Sequence, residues 1–178
     1  MDACQGDYIA LSDQDDVWVD NKLEYLLDVI RADATTALVV SDAHITDADL
    51  SPSKKTLWGQ LGFGRSQQKI FMNGDQLRFL LRKNLCWGLT LFFPRDMVND
   101  DQAAAHLKEL WEFDGWLGIK AALSSNIALC SKPLLYYRQH AYNDVGQPTV
   151  RKSVQTLLNS SDNRGGYGHH LDRCRQLL

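Results

Sequence analysis

Three aspartates within four positions, Asp13, Asp15 and Asp16, stand directly behind the short apolar run Tyr8-Ile9-Ala10-Leu11-Ser12. A run of that length bounded by polar residues reads as a buried strand, and it delivers Asp13 at its carboxyl end. Like charges held so close repel, and a fold tolerates them where water or a cation relieves the repulsion. In open α/β sheets, ligands bind in the crevice beyond the carboxyl ends of the strands. A hard divalent ion, Mg²⁺ or Mn²⁺, takes one or two protein carboxylates and completes its shell with phosphate oxygens and water. A cation and a phosphate-bearing ligand therefore belong to one expectation.

Rival readings of the same stretch stay open to different degrees. An EF-hand loop would need an oxygen ligand where Val17 stands and a glycine where Trp18 stands, so that reading fails. A solvated acidic turn needs nothing further. A phosphatase with an aspartate nucleophile also places its acids behind a strand, but its downstream lysine and second acidic motif have no clear counterpart here.

Downstream, Asp20 reads as a helix N-cap, with Leu23, Leu26, Leu27 and Ile30 on one helical face and Lys22, Glu24 and Asp28 elsewhere. Ala37-Leu38-Val39-Val40-Ser41 reads as a second buried strand, ending in another acid, Asp42. Strand, helix, strand with continuously apolar strands is the pattern of a parallel α/β unit. From His44 to Asn73 the periodicity weakens, and Pro52, Gly59, Gly62 and Gly64 predict a mobile excursion rather than core. Helices are expected over Asp75 to Lys83 and over Asp114 to Ser124, the latter with Trp116, Leu117, Ile119 and Leu123 inward. Strands are expected at Leu89 to Phe93, stopped by Pro94, at Ile127 to Cys130 and at Leu134 to Tyr137. Two terminal helices, Val150 to Asn159 and Leu171 to Leu178, follow, so the expected division is a domain over 1–148 and a helical extension over 149–178.

Composition narrows the function classes. The 178 residues are 44% hydrophobic and 23% charged with a net charge of −3, which excludes the basic surface that draws proteins to nucleic acid. Cys4, Cys86, Cys130 and Cys174 are scattered with no CxxC pair, which argues against structural zinc and for a reducing, cytoplasmic location. Met1 leads straight into a polar stretch rather than a signal peptide, and no apolar run approaches the roughly 20 residues of a membrane span. Five tryptophans offer aromatic faces suited to sugar rings, although each serves equally well as core.

Four segments in order then carry a family resemblance. Gly6-Asp7-Tyr8 running into Ser12-Asp13-Gln14-Asp15-Asp16-Val17-Trp18 and Asp20-Asn21-Lys22-Leu23-Glu24 resembles the DxD region of family 2 glycosyltransferases of the rhamnosyltransferase-like group. Asn84-Leu85-Cys86-Trp87-Gly88-Leu89-Thr90 resembles the glycine-bearing acceptor loop of that family, and Phe113-Asp114-Gly115-Trp116-Leu117 its catalytic acid segment. Tyr137-Arg138-Gln139-His140, with Asn143 and Gly146, resembles its closing motif. The resemblance implies a GT-A-type α/β fold and transfer of a sugar such as rhamnose from a nucleotide-diphosphate donor. The implied acceptor is a cell-surface polysaccharide or a lipid-linked precursor, hence peripheral association with the inner face of the cytoplasmic membrane. Family members open with a strand-helix-strand unit for the nucleotide, whereas here the DxD motif begins at residue 13. The expectation is therefore of an incomplete fold, with an inactive or binding-only module served by a partner chain as the alternative to an enzyme. Phe113 also stands where the family often carries a histidine or acid, with Glu112 one position further back.

By the same resemblance, Asp13 and Asp15 form the metal-binding pair and His140 completes the metal shell, or is a hydrogen-bonded structural histidine. Asp114 is the general base of an inverting transfer, or simply a helix N-cap. Trp116 would wall Asp114 and raise its basicity by desolvation. Asp16 either backs the metal site or caps a helix, and Arg138 either meets the diphosphate or pairs with a surface acid. Trp18, Asn84, Trp87 and Gly88 complete the expected substrate-binding set, with Gly88 allowing close approach of backbone to sugar.

Overall fold

The apolar strands alternate between two covered faces, and that alternation organises the molecule. A computed structural model describes residues 4–98 and 113–139. Its strands are β1 (Tyr8–Ala10), β2 (Val17–Trp18), β3 (Thr36–Thr46), β4 (Pro52–Thr56), β5 (Leu91–Pro94) and β6 (Asn126–Arg138). Its helices are α1 (Lys22–Arg31), α2 (Leu57–Gln60), α3 (Arg65–Asn73), α4 (Gln76–Leu80) and α5 (Phe113–Ser124), with a 3₁₀ turn at Gly88–Thr90. Among the described residues the strands join in one six-stranded sheet of order β1-β5-β3-β6-β2, with β4 paired to β3. In β3, Leu38 and Val40 face a core shared with Trp116, Leu117 and Ile119 of α5, while Val39 faces the opposite side with Leu26 and Ile30 of α1. β5 repeats the pattern, Leu91 and Phe93 on the first face and Phe92 on the second. Burial on both faces explains why these strands read as unbroken apolar runs.

The sheet is mixed. β3 and β6 run parallel, whereas β5 is antiparallel to both β1 and β3. β1 and β3 therefore share a direction, as a strand-helix-strand unit requires, with β5 inserted between them. The two strands expected at Ile127 to Cys130 and Leu134 to Tyr137 are one strand, β6. Its register slips where Ser41 pairs with Cys130 but Asp42 pairs with Pro133, so Ser131 and Lys132 bulge out. Pro133, with no N–H to give to a ladder, tolerates that position.

Several local expectations are corrected. β3 runs past Asp42, which is buried and satisfied: its Oδ1 accepts from the backbone N–H of Ala43 at 2.8 Å and of Trp58 at 2.9 Å. The predicted mobile excursion contributes core, because Leu57, Trp58, Phe63 and Phe71 are each at most 2% exposed and Phe63 stacks edge-on against Trp58, Phe71 and Phe79. Asn21, not Asp20, precedes α1, and no side chain caps that end. Along α1 the buried stripe is Lys22, Leu26 and Ile30, spaced i, i+4, i+8, while Leu23 is 49% exposed. In α5, Leu123 likewise faces outward, at 59% exposed. The terminal helices and the proposed 149–178 extension lie outside the described residues.

Gly118 lets α5 press against the loop ahead of β5. A Cβ there would fall 2.3 Å from the Cys86 sulfur, closer than real contacts come, and a tight 3.1 Å from its Cβ. Overpacking of this kind costs about 1–3 kcal/mol. Gly118→Ala should lower stability by that amount in urea unfolding, and adding Cys86→Ala should recover part of the loss. A Gly118→Ala variant as stable as the parent would disprove the packing account.

Candidate active site

Topology brings the acid loop, the Gly88 turn and Arg138 to one end of the sheet. β1, β3 and β6 all point their carboxyl ends there, which delivers the Asp13 to Asp16 loop after β1 and Arg138 at the end of β6. β5 runs the other way, so the 3₁₀ turn that precedes it, Gly88–Thr90, lies at the same end. Beneath the site a small apolar cluster of Ala43, Ile45, Leu57, Leu89, Leu135 and Tyr137 packs against Trp18 and Trp87.

Asp114 is tied to the glycine turn. Its Oδ2 accepts the backbone N–H of Gly88 at 2.9 Å across 26 residues of chain, and its Oδ1 accepts the N–H of Gly115 at 2.6 Å. A Cβ built on Gly88 would meet both Asp114 Oδ2 and Leu11 Cδ1 at 3.8 Å, so Asp114, Gly88 and the last residues before the acid loop converge on one spot. Asp114 occupies the first turn of α5 rather than the position before it, where the helix dipole favours an anion. Asp114 thus does not cap α5 from the position before it; it bonds a first-turn N–H and the glycine turn together.

The acid loop is strapped to β6. Arg138 donates from its backbone N–H to Asp16 Oδ1 at 3.1 Å, from Nε to the Asp15 carbonyl at 2.9 Å, and from Nη1 to the Ala48 carbonyl at 2.6 Å. Arg138 therefore braces the loop through backbone carbonyls. Asp16 does not cap α1, which begins at Lys22. Its carboxyl is pushed up to about 6, chiefly by burial and further by the charges of Asp13 and Asp15, against lowering by the Arg138 N–H and by Lys22. Asp16 Oδ2 is buried without a hydrogen-bond partner. Asp13 is likewise raised, first by the protein crowded around it and then by Asp15, with Lys22 opposing. An all-oxygen donor set, mutual repulsion and an orphaned carboxylate oxygen fit a hard divalent cation. No group of three or more His, Cys, Asp or Glu side chains converges as a ready-made cage among the described residues, so most of that ion's shell would come from ligand and water. His140 lies outside the described residues.

The aromatic expectations divide. Trp87 stays half-buried, edge-on to Tyr137 with ring centroids 6.1 Å apart, and its carbonyl accepts from Thr90 Oγ1 at 2.7 Å. Trp18 packs against the lower cluster, its Nε1 buried without a partner. Trp116 is 5% exposed in the core cluster that holds Ile9 and Leu85, so its ring presents no face to a sugar. Asn84 is exposed, and its Oδ1 accepts the Cys86 N–H at 2.9 Å, an Asx turn that starts the loop.

One residue was missed by sequence reasoning. Lys22 is 1% exposed, its Nζ donates to the Leu89 carbonyl at 3.0 Å, and the ammonium lies 4.0 Å from the centroid of the Trp18 ring. Burial lowers its pKa to about 8, against the favourable charges of Asp16 and Asp13. The signal was present in the i, i+4, i+8 spacing with Leu26 and Ile30, but a lysine on such a stripe is ordinarily assigned to its solvent edge.

The family model for glycosyl transferase family 2 matches residues 1–93, just over half of the 178-residue chain. The chain belongs to glycosyl transferase family 2. No curated protein is similar enough to stand as a relative. The matched stretch takes in the acid loop, Lys22 and the Gly88 turn, while Asp114 and Arg138 lie beyond it and touch it through the contacts described above. A mixed α/β sheet with helices on both faces is compatible with a GT-A-like fold. No helix among the described residues is long and apolar enough to cross a membrane.

A pH test follows from Asp16. Because its folded pKa lies above the unfolded value of 3.8, its contribution to stability is full below that value and is lost as pH rises through about 6. Asp16→Asn should therefore gain stability relative to the parent between pH 4 and pH 7, read from paired urea titrations. A stability difference that does not move across this window would contradict the assignment.

Proposed function

We propose that this family 2 glycosyltransferase is a metal-dependent, inverting enzyme that moves a deoxyhexose such as rhamnose from a nucleotide-diphosphate donor to a saccharide acceptor. The observation that carries this reading is the Gly88 N–H bond to Asp114, which sets a carboxylate beside the strand end that feeds the acid loop. Asp114 accepts the proton of the acceptor hydroxyl, whose oxygen attacks the anomeric carbon on the side opposite the diphosphate. Gly88, without a side chain, leaves room for that acceptor against the backbone. Asp13 and Asp15 would hold a Mg²⁺ or Mn²⁺ ion, with His140 as a further ligand, and the ion would neutralise charge on the departing diphosphate. Arg138 keeps the loop that bears those acids in place, and Asp16 steadies the same loop through the Arg138 N–H. The half-buried Trp87 supplies the sugar platform expected of an aromatic residue at such a rim. A growing cell-surface polysaccharide or its lipid-linked precursor is the proposed acceptor, met at the inner face of the cytoplasmic membrane.

Turnover of nucleotide sugars by the full chain, assayed with Mn²⁺ or Mg²⁺ and a saccharide acceptor, tests the reading. Asp114→Asn should lower kcat by about 10²–10⁴-fold, the usual worth of a general base, while donor affinity holds. Near-normal turnover in that variant would refute the base. Chelation of divalent ions should abolish transfer and added Mn²⁺ restore it; turnover that resists chelation would sink the metal requirement.

A further inference from the structure

Lysine is among the side chains least often fully buried, and an ammonium removed from water needs compensation from dipoles or charge. Lys22 is the exception here. At 1% exposed it is one of the largest fully buried side chains among the described residues, and it ties its own stretch of chain to a turn distant in sequence. It rises from the first turn of α1, lies against the ring of Trp18 in β2, and donates to the carbonyl of Leu89 in the 3₁₀ turn, 67 residues away. Leu89 is the immediate neighbour of Gly88, whose N–H in turn holds Asp114 Oδ2. The same ammonium feels the carboxylates of Asp13 and Asp16. A compact point charge on a flexible stem suits a task of this kind better than a planar guanidinium.

We propose that Lys22 is a positioning residue for sugar transfer, its ammonium clamping the Gly88–Thr90 turn so that the Gly88 N–H aims Asp114 toward the acid loop. Lys22 touches neither substrate nor reacting atoms in this role. It acts through the turn, and loss of the ammonium frees the Leu89 carbonyl while the apolar cluster beneath keeps its packing. The proposal rests on the reading of Asp114 as base for its consequence in turnover, but the clamp itself is a separate physical claim.

The test compares Lys22→Met and Lys22→Gln with the parent full chain, using amide hydrogen exchange resolved by residue alongside kinetics. The Gly88 amide should exchange at least about tenfold faster in Lys22→Met while the Val39 and Val40 amides of β3 keep their protection, since local openings can loosen one segment alone. Turnover should fall by up to about 10²-fold, the scale of a misplaced catalytic group. Affinity for Mn²⁺ should hold or rise, because a cation beside the acids has been removed. A collapsed structure would weaken every one of these together. Unchanged Gly88 exchange, or protection lost throughout β3 in both variants, would overturn the clamp. Normal turnover in Lys22→Met beside a dead Asp114→Asn would overturn Lys22 alone. Normal turnover in Asp114→Asn beside a loosened turn would sink the base assignment and leave the clamp standing.

Discussion

The parallel pairing of β3 with β6 is the contact on which the rest of the molecule depends. It runs from Thr36 against Asn126 to Thr46 against Arg138, along the centre of the sheet. One end buries Val39 and Leu38 on opposite faces and so gives α1 and α5 their seats. The other end sets Arg138 where it can reach the carbonyls of Asp15 and Ala48. The bulge between Cys130 and Pro133 shifts the register, so the two ends of this pairing are offset from one another by the inserted residues. A core strand pairing and an active-site brace are thus consecutive stretches of one strand.

Electrostatic crowding at this end of the sheet is moderated rather than removed. Asp15 raises the proton affinity of Asp13, and Asp13 and Asp15 together raise that of Asp16, with Lys22 opposing at both and the Arg138 N–H opposing at Asp16. Arg138 does so by giving its N–H to the Asp16 carboxylate, while its guanidinium holds the loop backbone at the Asp15 carbonyl. Lys22 answers from below, through an ammonium already engaged by Leu89 and Trp18. What remains is residual negative charge with an unsatisfied oxygen on Asp16, the electrostatic condition under which a hard cation gains most from binding.

Much of the arrangement was legible in the residues themselves. The apolar run ending at Ser12 did deliver Asp13 at a strand end, the Leu38 to Val40 stretch was buried on both faces, and α5 covered the span expected of it. These features depend on local periodicity, which burial imposes wherever an element packs. Errors fell where a distant partner overrode local pattern. The stretch around Trp58, Phe63 and Phe71 looked like an excursion because its apolar residues follow no single period, yet a shared aromatic cluster draws them inward. On α5, Trp116 packs in the core as its helix position implied, whereas Leu123, expected inward, turns to solvent.

By itself, then, the order of residues determined that acids follow a buried strand, that apolar strands need cover on two faces, and that a glycine loop and a lone acid stand further along the chain. Only the tertiary structure decided that Gly88 and Asp114 meet, that Arg138 straps the acid loop, and that Lys22 points inward rather than to solvent. The reason is physical. Periodicity reports which side of an element is buried, whereas contacts across 26, 67 or 123 residues are set by strand order and register, which no local window contains.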